Sequence, residues 1–194
     1  LNNEEYDRHH VSSNADERTI NEIYFPTFRA AVEEAKVGSV MTSYNLINGV
    51  HAAENPWLIR ENLKGAWGFQ GFVMSDWTST YTTLGCIRGG LDLEMPEAFQ
   101  MNRASIIPLI ENGIIEESEI DEKVQNILQT LIAFGFLDRP QLDSSISEDN
   151  PYSRQVAYRL SCESAVLLKN AGALPLKAGK KNKVVLMGPY ADVI

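Results

Sequence analysis

The sequence predicts an α/β fold, and three observations carry the prediction. An apolar pattern of helical period runs from Asp16 to Lys36. Two short apolar, β-branched runs begin at Gly38 and Gly71, 33 residues apart, and an Asn-Pro pair at 55–56 opens a helix between them. A strand, its crossover helix and the next parallel strand take about 30 residues, so this spacing is that of one βαβ unit.

Each element follows from local signals. In the first helix Ile20, Ile23, Tyr24, Phe28, Ala31, Val32 and Ala35 fall on one face. Gly38 to Tyr44 reads as a buried strand and Asn45 to Glu54 as a turn-rich loop. Asn55 is an N-cap with Pro56 at the first helical position, and Trp57, Leu58, Leu63 and Trp67 mark a helix that Gly68 closes. Gly71 to Ser75 is the second strand, ending at Asp76-Trp77. A weak pattern over Thr78 to Gly89 is expected to be helical, and Gly90 to Pro96 a short strand with its loop. Helices are expected around Asn102 to Asn112 and from Ser118-x-x-Asp121, the latter with Val124, Ile127, Leu128, Leu131 and Phe134 as its apolar face. The acidic run Glu116, Glu117, Glu119, Asp121 and Glu122 reads as a solvated first turn, favoured by the helix dipole.

From Leu137 to Tyr152 the composition turns to Asp, Ser, Pro and Asn, as in an inter-domain linker. Beyond it Ser153 to Asn170 reads as a helix carrying Val156, Leu160, Ala165 and Leu168, and Lys183 to Gly188 as a buried strand. One helix and one strand cannot bury a core, so the domain begun there is expected to be truncated.

Composition excludes several classes of function. The 194 residues are 44% hydrophobic and 22% charged, a globular rather than disordered or collagen-like balance. Seventeen basic against 26 acidic residues give a net charge of −9 with no basic patch, which excludes the electrostatic footprint of a nucleic-acid binder. No run approaches the roughly 18 to 20 apolar residues of a membrane span. Cys86 and Cys162 show neither a disulfide framework nor zinc-ligand spacing.

Ligands of parallel βαβ units gather at the carboxyl ends of the strands. Tyr44-Asn45 follows one strand and Asp76-Trp77 the next, so a phenol, an amide, a carboxylate and an indole share one rim. Such a set suits a sugar: the aromatic face takes the C–H surface of a pyranose, polar groups take its hydroxyls, and an Asp can attack the anomeric carbon. On residue type alone, Asp76 is either that nucleophile or the N-cap of the next helix. His9, His10 and His51 show no metal-ligand spacing with the acidic residues.

The stretch GSVMTSYNLINGVHAAENPWLIRENLKGAWGFQGFVMSDW closely resembles glycoside hydrolase family 3, which contains β-glucosidases, β-xylosidases and exo-acting β-glucanases. The segments NNEEYDR, VSSNADERTINEIYFPTF, GGLDLEMP, FGFLD, ESAVLLKN, LPLK and VVLMGPYAD extend the resemblance in order along nearly the whole chain. It implies the C-terminal part of a TIM-like β/α barrel at residues 1–136, a linker at 137–152, and the start of an α/β sandwich domain at 153–194, with the sugar bound between the two domains. By the same resemblance the activity is that of a retaining exo-acting β-glycoside hydrolase, a β-glucosidase first and a β-xylosidase as the alternative. Asp76 is then the nucleophile, Tyr44 and Trp77 line the subsite for the non-reducing sugar, and Tyr44 steers Asp76 by a hydrogen bond.

Met41 matches a pocket position of the family, with core packing as the competing role, and structural roles are expected for Asp92 and Glu94. A sugar-contacting Lys-His pair, an acidic residue and an arginine of the family's earlier loops precede residue 1, and the acid/base carboxylate has no counterpart among Glu148 and Glu163. The isolated chain is therefore expected to be inactive, or to act as a non-catalytic carbohydrate-binding or structural piece. The implied partners are a β-linked glucoside or oligosaccharide and the remainder of the barrel and sandwich domains, with no cofactor, no metal, no nucleic acid and no membrane. A periplasmic or secreted location follows from the substrate class.

Overall fold

The computed structural model describes residues 1–147, 149–177, 179, 185, 187 and 188. The chain divides into two compact units, Leu1–Gln141 and Leu142–Ile194. No helix among the described residues is long and apolar enough to cross a membrane.

The first unit is mixed α/β. After β1 (Ser12–Ser13), Asp16 caps α1 (Glu17–Thr19) by accepting from the Thr19 amide, and a wide helical segment with i→i+5 hydrogen bonds (Ile20–Tyr24) leads into α2 (Phe25–Glu33). The wide segment adds a residue to the turn, which rotates the helical turns beyond it relative to a 3.6-residue period. The face that packs inward is accordingly Ile20, Phe25 and Val32, whereas Ile23 and Phe28, expected on it, are exposed. Phe25 stacks on Trp57 and meets Trp67 edge-on, at centroid distances of 5.6 and 4.8 Å.

The expected βαβ unit is present. β2 (Ser39–Met41) pairs in parallel with β5 (Phe72–Met74) in the register Ser39 to Phe72, Val40 to Val73 and Met41 to Met74. Gly71 is required there, because a Cβ would lie 2.1 Å from the Gly38 carbonyl oxygen. The crossover helix, Trp57–Ala66, is wound in the wide register throughout; the Asn55 carboxamide accepts from the Leu58 amide at its start, and Gly68 turns out of it with φ +65°. It buries Ile59 and Leu63 against Val32, Ala53, Phe69, Val73, Cys86 and Leu91. Contrary to the sequence reading, β2 is not buried: β5 is its one partner among the described residues, and Ser39 and Met41 are exposed.

Two further corrections concern strands. The stretch read as a loop holds a hairpin, β3 (Leu46–Ile47) with β4 (Val50–His51), turned at Asn48-Gly49, both with positive φ. Asn-Gly suits that turn because both residues tolerate the left-handed conformation; β1 adds to β3 in parallel. Gly90 to Pro96 contributes only a bridge from Leu93 to Met74 rather than a strand.

A buried charge cluster fastens β5 to the helices around it. Asp92, its carboxylate fully buried, accepts from the Val73 amide (2.8 Å), Lys64 Nζ (2.8 Å) and Asn126 Nδ2 (2.9 Å). Next to it, α3 (Thr83–Gly89) ends at Gly90 in the left-handed conformation, leaving carbonyls without helical partners. Three cations take them: Arg60 donates to Ile87 O and Arg88 O, Lys64 to Gly90 O, and buried Lys123 to Ile87 O. A helix C-terminus favours positive charge, and Arg60 is in turn held by Glu122 through both carboxylate oxygens. Glu122 is thus paired rather than merely solvated, as the acidic run was expected to be.

α4 (Arg103–Glu111) starts at the Asn102 cap, and α5 (Glu117–Ala133) starts two residues earlier than Ser118-x-x-Asp121 implied. The cap is Glu116, which forms a reciprocal capping box with Glu119. The inward face of α5 carries Lys123 and Thr130, while Val124, Leu128 and Phe134 of the expected apolar face are exposed. Ile127 and Leu131 of that face are half-buried, and Lys123 and Asn126 anchor the helix on this side.

In the second unit α6 (Pro151–Glu163) is capped by Asn150, which accepts from the Tyr152 and Ser153 amides. It ends at Glu163, so Ala165 and Leu168 of the expected longer helix lie beyond it; the consecutive apolar residues 165–168 carry no 3.6 period. The strand expected at Lys183 to Gly188 falls largely outside the described residues.

Replacing Asp92 with Ala leaves Lys64 and the Val73 amide without their buried partner, a loss of about 3 to 5 kcal/mol, to be read as a lowered urea midpoint. Burial pushes the Lys123 ammonium down to about 8, against the opposing pull of Asp92. Between about pH 8 and 10.5 the unfolded chain keeps this proton and the fold sheds it, so the unfolded state binds more protons and stability rises with pH. Unfolding free energies across that window are expected to show this rise in the parent and to lack it in Lys123→Met.

Candidate active site

The carboxyl end of β5 delivers Ser75, Asp76 and Trp77 to a tightly held turn. Ser75 N donates to Leu93 O, Met95 N donates to Ser75 Oγ, and Thr78 N donates to Met95 O. Thr78 reverses the chain with φ +62°, and Ser79 returns both its amide and its hydroxyl to Asp76 O. The main chain of Asp76 is thus fixed from both sides.

Two donors meet on one oxygen of its carboxylate. The Tyr44 hydroxyl donates to Asp76 Oδ1 at 3.0 Å and the Trp77 amide donates to the same atom at 2.7 Å. Among the described residues no donor reaches Oδ2. The next helix, α3, is capped by Thr82, whose hydroxyl accepts from the Gly85 amide, so Asp76 does not serve as its cap.

Tyr44 is buried, 8% exposed. The Arg8 guanidinium lies over its ring, 3.9 Å from the centroid, and the His9 ring meets it at 71° and 4.8 Å. Burial and then the bond to Asp76 push its phenol above the ordinary tyrosine range, with Arg8 opposing; Tyr44 therefore stays a proton donor at neutral pH. Asn45, fully buried, stitches the amino-terminal segment into place by donating to Glu4 O and Arg8 O and accepting from the Ser13 hydroxyl.

Of the other residues singled out in the sequence, Trp77 holds its indole 63% exposed beside Asp76, and Met41 is 56% exposed on β2, three residues ahead of Tyr44. Met41 also lines an apolar cavity of about 250 Å³ with Phe25, Phe28, Val40 and Ile47. Asp92 and Glu94 have the structural roles expected of them. Glu94, buried, accepts from Thr80 Oγ1 and from the Gln100 and Met101 amides. Each histidine has another partner: His10 pairs with Asp7, His9 with the Tyr81 hydroxyl, and His51 stacks on Tyr81; among the described residues no group of three or more His, Cys, Asp and Glu side chains is placed to hold a metal ion.

Three residues of this neighbourhood escaped the sequence reading. Arg8 stands within the quoted segment NNEEYDR, its one cation, and that contrast was the available signal. Glu54 accepts from the Tyr81 and Thr82 amides and from the Thr82 hydroxyl, pinning the loop beyond Asp76. Tyr81 sits in the weakly patterned stretch after Thr78, where nothing in the sequence marks it.

The model of the Glycosyl hydrolase family 3 N terminal domain matches residues 4–130, and the chain belongs to that family. It is 38% identical over 190 residues to a β-glucosidase of Rhizobium radiobacter, covering 98% of this chain and 23% of that protein. It is 35% identical over 193 residues to probable β-glucosidase J of Emericella nidulans, covering 99% and 22%. Among solved structures, β-glucosidase 3B of Thermotoga neapolitana in complex with α-D-glucose matches with a TM-score of 0.76 and 36% identity over 91% of this chain and 26% of that one. The family 3 β-glucosidase of Bifidobacterium adolescentis matches with a TM-score of 0.75 and 36% identity over 88% and 24%. The chain thus spans about a quarter of the length of these relatives.

Removing the Glu54 carboxylate as Glu54→Ala leaves the Tyr81 and Thr82 amides without their acceptor. A loss of about 2 to 3 kcal/mol is expected, with faster hydrogen exchange confined at first to those two amides.

Proposed function

We propose that this chain supplies the nucleophile side of a retaining β-glucosidase active site, with Asp76 as the nucleophile. The observation that carries the reading is the asymmetry of the Asp76 carboxylate, Oδ1 holding two donors and Oδ2 none among the described residues. Oδ2 attacks the anomeric carbon of a terminal β-D-glucosyl unit. The bond to the leaving-group oxygen breaks as a partner carboxylic acid, supplied from outside this chain about 5 to 5.5 Å away, protonates that oxygen. A covalent glycosyl-enzyme results. Water, deprotonated by the same partner, then releases the sugar and restores Asp76.

Tyr44 and the Trp77 amide spread the charge of the attacking carboxylate and orient it, and the exposed Trp77 indole offers a platform for the C–H face of the ring. Met41 lies at the carboxyl end of the neighbouring strand β2, opposite Met74. The names of the relatives support a glucosidase; a β-xylosidase would differ in loops that these residues do not include.

The proposal extends to architecture. Residues 1–136 form the last part of a TIM-like barrel, 137–152 a linker and 153–194 the opening of an α/β sandwich. The edge of β2 that has no partner among the described residues and the apolar cavity beside it support the seating of further barrel segments there. A periplasmic or secreted location accords with the substrate class.

The test is a 2-deoxy-2-fluoroglucoside with an activated leaving group, given to the parent protein that carries these residues, followed by intact mass and peptide mapping. One adduct on the peptide containing Asp76 is expected, and none in Asp76→Asn. An unlabelled protein, with the fluoroxyloside also failing, would remove Asp76 from the nucleophile's role.

A further inference from the structure

Tyr44 contacts Asp76 directly, and its own placement depends on a second layer of aromatic groups drawn from three distant parts of the chain. His9 Nδ1 and the Tyr81 hydroxyl share a hydrogen bond of 3.0 Å. The His51 ring lies flat on the Tyr81 ring, 3.4 Å between centroids at 16°. The Tyr81 amide is fastened to Glu54. Tyr81 is therefore held at its face, its main chain and its hydroxyl, and the hydroxyl holds His9. His9 in turn stands nearly perpendicular to the Tyr44 ring, whose other close neighbour is the Arg8 guanidinium.

An aromatic ring in contact with both a perpendicular ring and a stacked cation is restrained in its tilt as well as in its spin. The phenol oxygen lies on the χ2 axis, so the tilt holds the Tyr44 hydroxyl at Asp76 Oδ1 and the ring plane sets where its proton points. We infer that Tyr81 is a positioning residue, which acts through His9 to hold the Tyr44 phenol on Asp76 and so keeps Oδ2 aimed for attack. The inference rests on the nucleophile assignment above. Neither Tyr81 nor His9 needs to touch the sugar for this role, so their effect belongs to the rate of glycosyl transfer to the carboxylate and not to substrate affinity.

The experiment measures the rate of Asp76 labelling by the same fluoroglucoside in the parent protein and in Tyr81→Phe, Tyr44→Phe and the double variant, each checked for an unchanged melting temperature. Tyr44→Phe is expected to slow labelling about tenfold to a hundredfold, the range of a hydrogen bond to a charged group. Tyr81→Phe, which loses a neutral bond, is expected to slow it about threefold to tenfold, with the concentration for half-maximal rate unchanged. The double variant is expected to label at the rate of Tyr44→Phe alone, because both changes act on one bond.

His9→Phe keeps a ring edge against Tyr44 and removes the tie to Tyr81. It is expected to match Tyr81→Phe and to add nothing to it, which serves as the independent check if either variant folds poorly. Multiplicative effects of Tyr81→Phe and Tyr44→Phe, a labelling rate of Tyr81→Phe equal to the parent's, or a change confined to half-saturation would each overturn the inference. A parent protein that takes no label at Asp76 overturns the nucleophile assignment itself, and the two failures are told apart by that control.

Discussion

The Asp92 carboxylate is the constraint on which the rest of the first unit depends. It is fully buried and satisfied by one main-chain amide, one ammonium and one carboxamide, each from a different element. A charge in that position is tolerable only with all its partners in place. The Val73 amide thus fixes β5 against the Asp92 segment, Lys64 fixes the crossover helix, and Asn126 fixes α5. The residues just after Val73 and Asp92, namely Ser75 to Thr78 and Leu93 to Met95, are then cross-linked by main-chain bonds. Asp76 is presented on a strand end whose position is settled by electrostatics one turn away.

Much of the scaffold was legible because it depends on local chemistry. The Gly38 and Gly71 runs became paired parallel strands, and Asn55-Pro56 and Gly68 bounded the helix between them, since caps and glycine turns act within a few residues. The pairing of Tyr44 with Asp76 followed from strand-end topology together with the family resemblance. Helix rotation was not legible. The wide-register turns at Ile20–Tyr24 shift the phase of the apolar pattern, and α5 is anchored by the polar Lys123 and Asn126, with Val124 and Leu128 facing outward. Long-range polar contacts were also hidden, since nothing local to Glu54 marks it as the acceptor for amides 27 and 28 residues away.

The site and the scaffold use charge in opposite ways. In the scaffold Arg60, Lys64 and Lys123 converge on the carbonyl end of the seven-residue α3, where the helix dipole and two carboxylates compensate them. At the strand end the donors that reach the carboxylate, among the described residues, are neutral, a phenol and an amide, while a nearby cation, Arg8, is applied to the phenol's ring. A neutral donor pair orients a carboxylate without the strong ion pairing that Asp92 makes with Lys64.

The three partners of Asp92 also impose an order on synthesis. Lys64 and Val73 precede Asp92 in the chain, whereas Asn126 comes 34 residues after it. At about 5 to 20 residues per second on the ribosome, the carboxylate waits on the order of 2 to 7 s for its last partner. Until then two of the three native contacts of this carboxylate, the Val73 amide and Lys64, are the most the nascent chain can offer it. The anchor of the strand end that carries Asp76 cannot be completed before Asn126 has left the ribosome.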